Sequence, residues 1–274
     1  MSDTHVTAPT QYIEVDGDQF AYRRWGKPSG APLFFVQHFR GALDNWDPLI
    51  TDGLAESREV ILYNGRGLAS SSGTPRNRME DMADDIAAVI RALGLEQVDL
   101  LGFSIGGLQA QEVALRHPEL VRKLLLIGTG VRGGEASADP KAFAEVATNP
   151  IPTEDDFLYL FFGRSEAARE AGKAFWERRH QRVDQDPPTS PELMMAQIEA
   201  VAAYSPLRPG ETPFVFLNAI TQPTLVLNGE NDVMIPTIHS WHLSQNIPDA
   251  QLRSRCLSGC EAAWRVTFRR WGVK

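Results

Sequence analysis

The segment Gly102-Phe103-Ser104-Ile105-Gly106 sets a serine between two glycines in the pattern G-x-S-x-G. A serine hydroxyl attacks carbonyl carbon only when a base takes its proton and nearby donors receive the charge that develops on oxygen. The flanks decide whether the five residues mean that chemistry. Val98-Asp99-Leu100-Leu101 reads as a strand entering the motif, and Gly107 to Arg116 as a helix leaving it. Ser104 then sits on a sharp strand-to-helix turn with strained backbone angles. Gly102 and Gly106 let strand and helix pass closely. The Ile105 N–H stands at a helix N-terminus, directed at developing negative charge. An ordinary glycine-rich turn would satisfy the five letters alone; the flanks favour acyl transfer through Ser104.

Two further segments hold candidate partners. Phe34-Phe35-Val36-Gln37-His38-Phe39-Arg40-Gly41 is a strand running into a loop, which either supplies a second N–H or is plain surface. Asn228-Gly229-Glu230-Asn231-Asp232 follows another strand and offers a carboxylate. Such a group orients an imidazole base and stabilises its cation. Asp232 as a turn or capping residue is the plainer alternative, and Glu230 is the rival acid.

These segments need a scaffold. Tyr12–Val15 and Phe20–Trp25, joined through Asp16-Gly17, form a hairpin pattern. Leu33–Val36, Val60–Tyr63, Val98–Leu101, Lys123–Ile127 and Thr224–Leu227 are short apolar runs of the kind buried on both faces. Met79, Met82, Ala83, Ile86, Val89, Ile90 and Leu93 recur at helical spacing. Alternating strands and helices imply an α/β fold, a mostly parallel central sheet flanked by helices. The rhythm breaks after Gly130. Residues 131–213 carry helical segments, many aromatic residues and a proline-rich break at Asp186–Pro191. The expected organisation is a core of residues 1–130 and 214–274 with a helical cap, 131–213, inserted into it.

A net charge of −8 disfavours a nucleic-acid partner. No apolar run approaches the roughly 18 residues of a membrane span, and Met1–His5 opens no leader pattern. The expectation is a cytoplasmic protein with a small-molecule partner. Cys256 and Cys260, a lone C-x3-C pair, are read as free thiols. No metal and no cofactor is called for.

Several motifs in order resemble the landmarks of the α/β-hydrolase superfamily. They are Val36–Gly41 with Asp44-Asn45-Trp46-Asp47-Pro48, Asn64-Gly65-Arg66-Gly67 with Ser70–Gly73, Gly102–Gly107, and Gly229–Pro236. The set is most similar to the bacterial esterase and cofactor-free haloperoxidase-like branch. The resemblance implies an eight-stranded sheet with a helical cap. It also implies Ser104 as nucleophile, Asp232 as triad acid, and Phe39 and Ile105 as oxyanion N–H donors, with His38 close enough to touch substrate. The substrates implied are small esters or related acyl compounds, with a perhydrolase side activity. Haloalkane dehalogenase chemistry is disfavoured, since that branch uses an aspartate nucleophile.

One expected element is missing. The superfamily carries its histidine base on a loop after the last strand, and Leu257-Ser258-Gly259-Cys260 places a cysteine there. No histidine follows His242. His117, His239 and His242 read as surface or capping residues. A Cys260 thiolate beside Asp232 would be opposed by like charge. From Arg253 to Lys274 the chain holds six basic residues and one acid, against −8 for the whole. That break is what a change of reading frame near Arg253 would give. The sequence thus predicts a serine hydrolase impaired by loss of its base; the alternative is an inactive ligand-binding protein of the same fold.

Overall fold

The short apolar runs become strands because only a sheet covered on both sides can bury every second residue on each face. The computed structural model describes residues 3–28, 30–137, 139 and 141–255. Eight strands form one sheet: β1 (Gln11–Val15), β2 (Asp18–Gly26), β3 (Leu33–Val36), β4 (Glu59–Tyr63), β5 (Val98–Phe103), β6 (Val121–Ile127), β7 (Thr224–Gly229) and β8 (Ala250–Arg255). Their order is β1-β2-β4-β3-β5-β6-β7-β8. The β1–β2 hairpin and the β2–β4 pair are antiparallel, and β4 through β8 pair in parallel. The fold class is thus the expected α/β arrangement.

Helices α1 (Pro48–Ala55), α2 (Met79–Ala92), α3 (Ile105–Arg116) and α7 (Ile238–Asn246) flank the sheet. Alternation splits β3 between two cores. Phe34 and Val36 pack with the apolar stripe of α2, with α3 and with Leu243 of α7, while Leu33 and Phe35 pack with Trp46 and with Leu54 of α1. Each fully buried side chain of this size is worth about 1.5–3 kcal/mol. The ends of β3 and β5 are thereby fixed side by side, Val36 opposite Gly102, and the loops that leave them start from one rigid edge.

Between β6 and β7 the described residues form no strand. They form α4 (Glu154–Phe161), α5 (Glu166–Arg179) and α6 (Pro191–Tyr204). Thr153, Ser165 and Ser190 cap these helices through their side chains. Arg178 of α5 donates to both carboxylate oxygens of Asp47, at 2.8 and 2.9 Å. Beyond α5, Asp186 accepts from Ser70 Oγ at 2.6 Å and Asn64 Nδ2 at 2.8 Å. The helical stretch is therefore tied to the sheet by charge and hydrogen bonds as well as by chain continuity.

One strand extends further than composition predicts. Arg253-Ser254-Arg255 makes a poor central strand, yet the backbone pairs Arg253, Ser254 and Arg255 with Leu227, Asn228 and Gly229 of β7. β8 stands last in the order of described strands, and a strand with one neighbour need not be apolar on both faces. Cys256, Cys260 and the rest of the composition break lie outside the described residues. Among the described residues no helix is long and apolar enough to cross a membrane.

Candidate active site

Ser104 begins α3 as its N-terminal cap, with φ 56° and ψ −122°. That conformation is strained for a residue with a Cβ, and hydrogen bonds hold it. The Ser104 N–H donates to Ile127 O at 2.9 Å, and its carbonyl accepts from Thr129 Oγ1 at 2.7 Å and Gly107 N–H at 2.8 Å. The neighbouring chain leaves no room for side chains on either side. A Cβ on Gly102 would lie 2.4 Å from Gly106 O, and one on Gly106 would lie 2.3 Å from Val36 O. The glycine spacing is thus a close approach of three backbone segments. Ile105 is the first residue of α3, where a helix offers its N–H no internal acceptor.

Ser104 opens into a cavity of about 300 Å³. Phe39, His38 and Asp232 share its wall, so four of the five residues singled out from sequence line one cavity. Ile105 is buried beneath it and packs with Met79, Met82, Leu108 and Tyr204, with Phe39 against the same cluster. Asp232 Oδ1 accepts from the N–H groups of Met234 and Ile235, both at 2.9 Å. Its other oxygen lies 3.7 Å from where a Cβ on Gly128, another wall residue, would stand. Burial raises the Asp232 pKa above the ordinary carboxylate value, against those two hydrogen bonds. Glu230, the rival acid, is exposed and is not among the wall residues.

The histidines separate cleanly. His38 is buried, its ring 5.5 Å from that of Phe103 and 5.4 Å from that of Phe161. Its Nδ1 lies 2.8 Å from Phe39 O. A carbonyl only accepts, so Nδ1 carries the proton and Nε2 is the acceptor. Burial lowers its pKa to about 4, partly opposed by the Phe39 carbonyl and aided by the charge of Arg179. His239 is engaged at both nitrogens: Nδ1 accepts from Val131 N–H at 3.1 Å, and Nε2 donates to Glu135 O at 2.8 Å. His242 stacks on Phe214 with ring centroids 4.1 Å apart. His117 closes α3 at the end away from Ser104 and meets Asp84 at 2.7 Å. His180 lines the cavity and meets Trp176 O at 2.7 Å.

The His38 imidazole carries a pH prediction. Its pKa in the folded chain, about 4, lies below the 6.5 of an exposed histidine. Between those values the unfolded chain binds a proton that the folded chain does not, so stability falls as pH falls through that window. His38 contributes up to about 3 kcal/mol of that loss. The expected result is a denaturation midpoint that declines less steeply from pH 6.5 to 4 in His38→Gln than in the native chain. Parallel profiles would refute it. His5, also lowered to about 4 by burial, keeps its own share in both proteins.

The rest of the wall comes from the helical stretch. Of its aromatic residues, Phe157, Phe161 and Trp176 reach the cavity. Phe162 and Phe175 pack on each other with centroids 5.6 Å apart, and Tyr159 turns outward to Asp139. Sequence reasoning missed Arg179, Asp44 and Asp186 as wall residues. For Arg179 a signal was present: it follows Phe175 and Trp176 by four and three residues, and such positions share a helix face. Among the described residues no group of three His, Cys, Asp or Glu side chains is placed to hold a metal ion.

Comparison with known proteins agrees with this fold. Residues 31–256 match a family described as the alpha/beta hydrolase fold. A poly(3-hydroxyalkanoate) depolymerase of Ectopseudomonas oleovorans is 30% identical over 251 residues, covering 88% of this chain and 82% of the relative. A bifunctional esterase/perhydrolase of Acinetobacter calcoaceticus is 30% identical over 239 residues, 81% of each chain. Among solved structures, an alpha/beta hydrolase fold protein from Chitinophaga pinensis superposes with a TM-score of 0.85 at 34% identity, over 99% of this chain and 96% of that one.

Proposed function

This chain belongs to the α/β-hydrolase-fold family, and from that premise we propose that it is a serine hydrolase of small esters or related acyl compounds. Ser104 Oγ attacks the carbonyl carbon, and the N–H groups of Phe39 and Ile105 receive the charge on oxygen. The alcohol or amine leaves, and water then releases the acid from the acyl-serine. Residues 131–213 act as a cap whose aromatic side chains give the acyl pocket its apolar wall. Asp232 is the acid that would orient a base. The observation that carries this reading is Ser104 itself, held in left-handed backbone at the head of α3 and sharing one cavity wall with the half-buried carboxylate of Asp232.

The base sets the rate. Both nitrogens of His239 are engaged elsewhere, and the sequence has no histidine beyond His242. Loss of the histidine from a serine triad costs about 10⁶ in kcat and leaves roughly 10³–10⁴ over water. The chain is therefore read as a slow hydrolase. The same observation favours a second reading, a ligand-binding protein without turnover.

A fluorophosphonate probe separates the two. A covalent adduct on Ser104, seen by intact mass and absent from Ser104→Ala, is the expected result. A ligand-induced rise in melting temperature with no adduct would favour the binding protein and sink the serine mechanism.

A further inference from the structure

Arg179 closes α5 and lines the same cavity as Ser104, His38 and Phe157. Its guanidinium carbon lies 4.2 Å from the ring centroid of Phe157 and 5.0 Å from that of Trp176. Nε and Nη1 are buried and find no hydrogen-bond acceptor among the described residues. Neighbouring arginines are better paired, although Arg40 Nε is likewise buried without an acceptor among the described residues. Arg40, also in the wall, donates from Nη1 to Asn149 O at 2.7 Å and from Nη2 to Pro150 O at 3.2 Å. Arg178 holds both oxygens of Asp47. The carboxylate whose field reaches Arg179 is Asp44. Asp44 is already ion-paired with the fully buried Arg23 and accepts from Asp186 N–H at 2.6 Å.

A buried charge is costly unless something pairs with it. The aromatic faces of Phe157 and Trp176 offset part of that cost, but a ring face is not a hydrogen-bond acceptor in the plane of the guanidinium. Resting on the Ser104 reading above, we propose that Arg179 is a subsite for a carboxylate on the substrate. The molecule cleaved at Ser104 is then a small ester or related acyl compound carrying a second, ionised carboxyl group.

The planar fork of a guanidinium matches two carboxylate oxygens. Burial pulls the Arg179 pKa down to about 10, which still leaves it charged at neutral pH. His38, whose ring lies 6.3 Å from that of Phe157, is neutral at that pH, and His180, next to Arg179 in the chain, also lines the cavity with its Nδ1 turned to Trp176 O. A cavity of about 300 Å³ suits a short chain with a polar group at each end, its linking carbons against the phenylalanines.

The test compares monomethyl glutarate, an anion, with the neutral dimethyl glutarate, by calorimetric titration of the full chain. The monoanion is expected to bind roughly ten- to hundredfold more tightly. Arg179→Met should erase the preference, and Arg179→Lys should keep part of it. Equal binding of the two compounds overturns the inference, as does binding of neither. Survival of the preference in Arg179→Met also overturns it, because the anion would then be held elsewhere, for instance by the N–H groups beside Ser104. The native comparison stands even if a variant fails to fold. Fluorophosphonate labelling, run in parallel, keeps the two readings apart. A labelled Ser104 with no anion preference sinks the subsite alone. A preference with an unlabelled Ser104 supports the subsite and sinks the nucleophile.

Discussion

Free imidazole is expected to speed ester hydrolysis by this chain roughly 10²-fold, with saturation and only when Ser104 is present. Ser104 and Asp232 line one cavity, and Asp232 commits one oxygen to Met234 and Ile235. A diffusible imidazole that enters between them can take the Ser104 proton while Asp232 stabilises its cation. Recovery falls short of the full 10⁶ or so attributed to a triad histidine, because a free base lacks the effective concentration of a tethered one. Release of p-nitrophenol from its acetate gives the rate, with imidazole alone as the blank. Ser104→Ala should abolish the saturable part, and Asp232→Asn should reduce it. An unassisted native rate that imidazole leaves unchanged would mean that a base is already in place.

Gly106→Ala is expected to cost about 4 kcal/mol of stability, with loss of Ser104 labelling in whatever folds. The added methyl would lie 2.3 Å from Val36 O and 2.6 Å from Gln37 O. Both atoms are backbone, at the point where β3 turns into the loop carrying His38 and Phe39. Neither can swing aside as a flexible side chain would. The strand is pinned on both sides, by β4 and β5, so relief must come from moving α3 or the loop, and either displaces a proposed oxyanion donor. Gly94→Ala serves as the control, since nothing lies within 4 Å of that site, although its φ of 72° carries its own modest strain. A Gly106→Ala protein as stable as Gly94→Ala would refute the close-packing account.

The elements nearest Ser104 were legible because burial on two faces leaves a continuous apolar signature. Leu33–Val36 is a strand from end to end, and the Met79 stripe begins α2 at its first residue. Legibility failed where charge enters the sheet. β6 begins at Val121, two residues before the apolar run suggests, because Arg122 reaches across to Asp99 at 2.8 Å. Asp99 itself, fully buried in β5, also holds Arg58 at 2.7 Å. β8 was obscured in the same way, since an outer position relaxes the demand for apolar residues. For the site, local spacing marked Ser104, position after a strand offered Asp232 beside its rival Glu230, and Phe39 was named by the family resemblance. For Arg179 helical spacing put it on a face with Phe175 and Trp176, but that spacing does not say which face of α5 turns toward the sheet, where Arg178 pairs with Asp47.

Arg40 adds a further tie between the loop after β3 and the helical stretch. It follows Phe39 directly, its N–H donates to Gln197 Oε1 on α6 at 2.8 Å, and its guanidinium reaches the carbonyls of Asn149 and Pro150. Any excursion that swings residues 147–150 or α6 outward to admit a guest must first sever these links or drag Arg40 along. Displacement of that segment and of the backbone beside Phe39 is therefore coupled through one side chain.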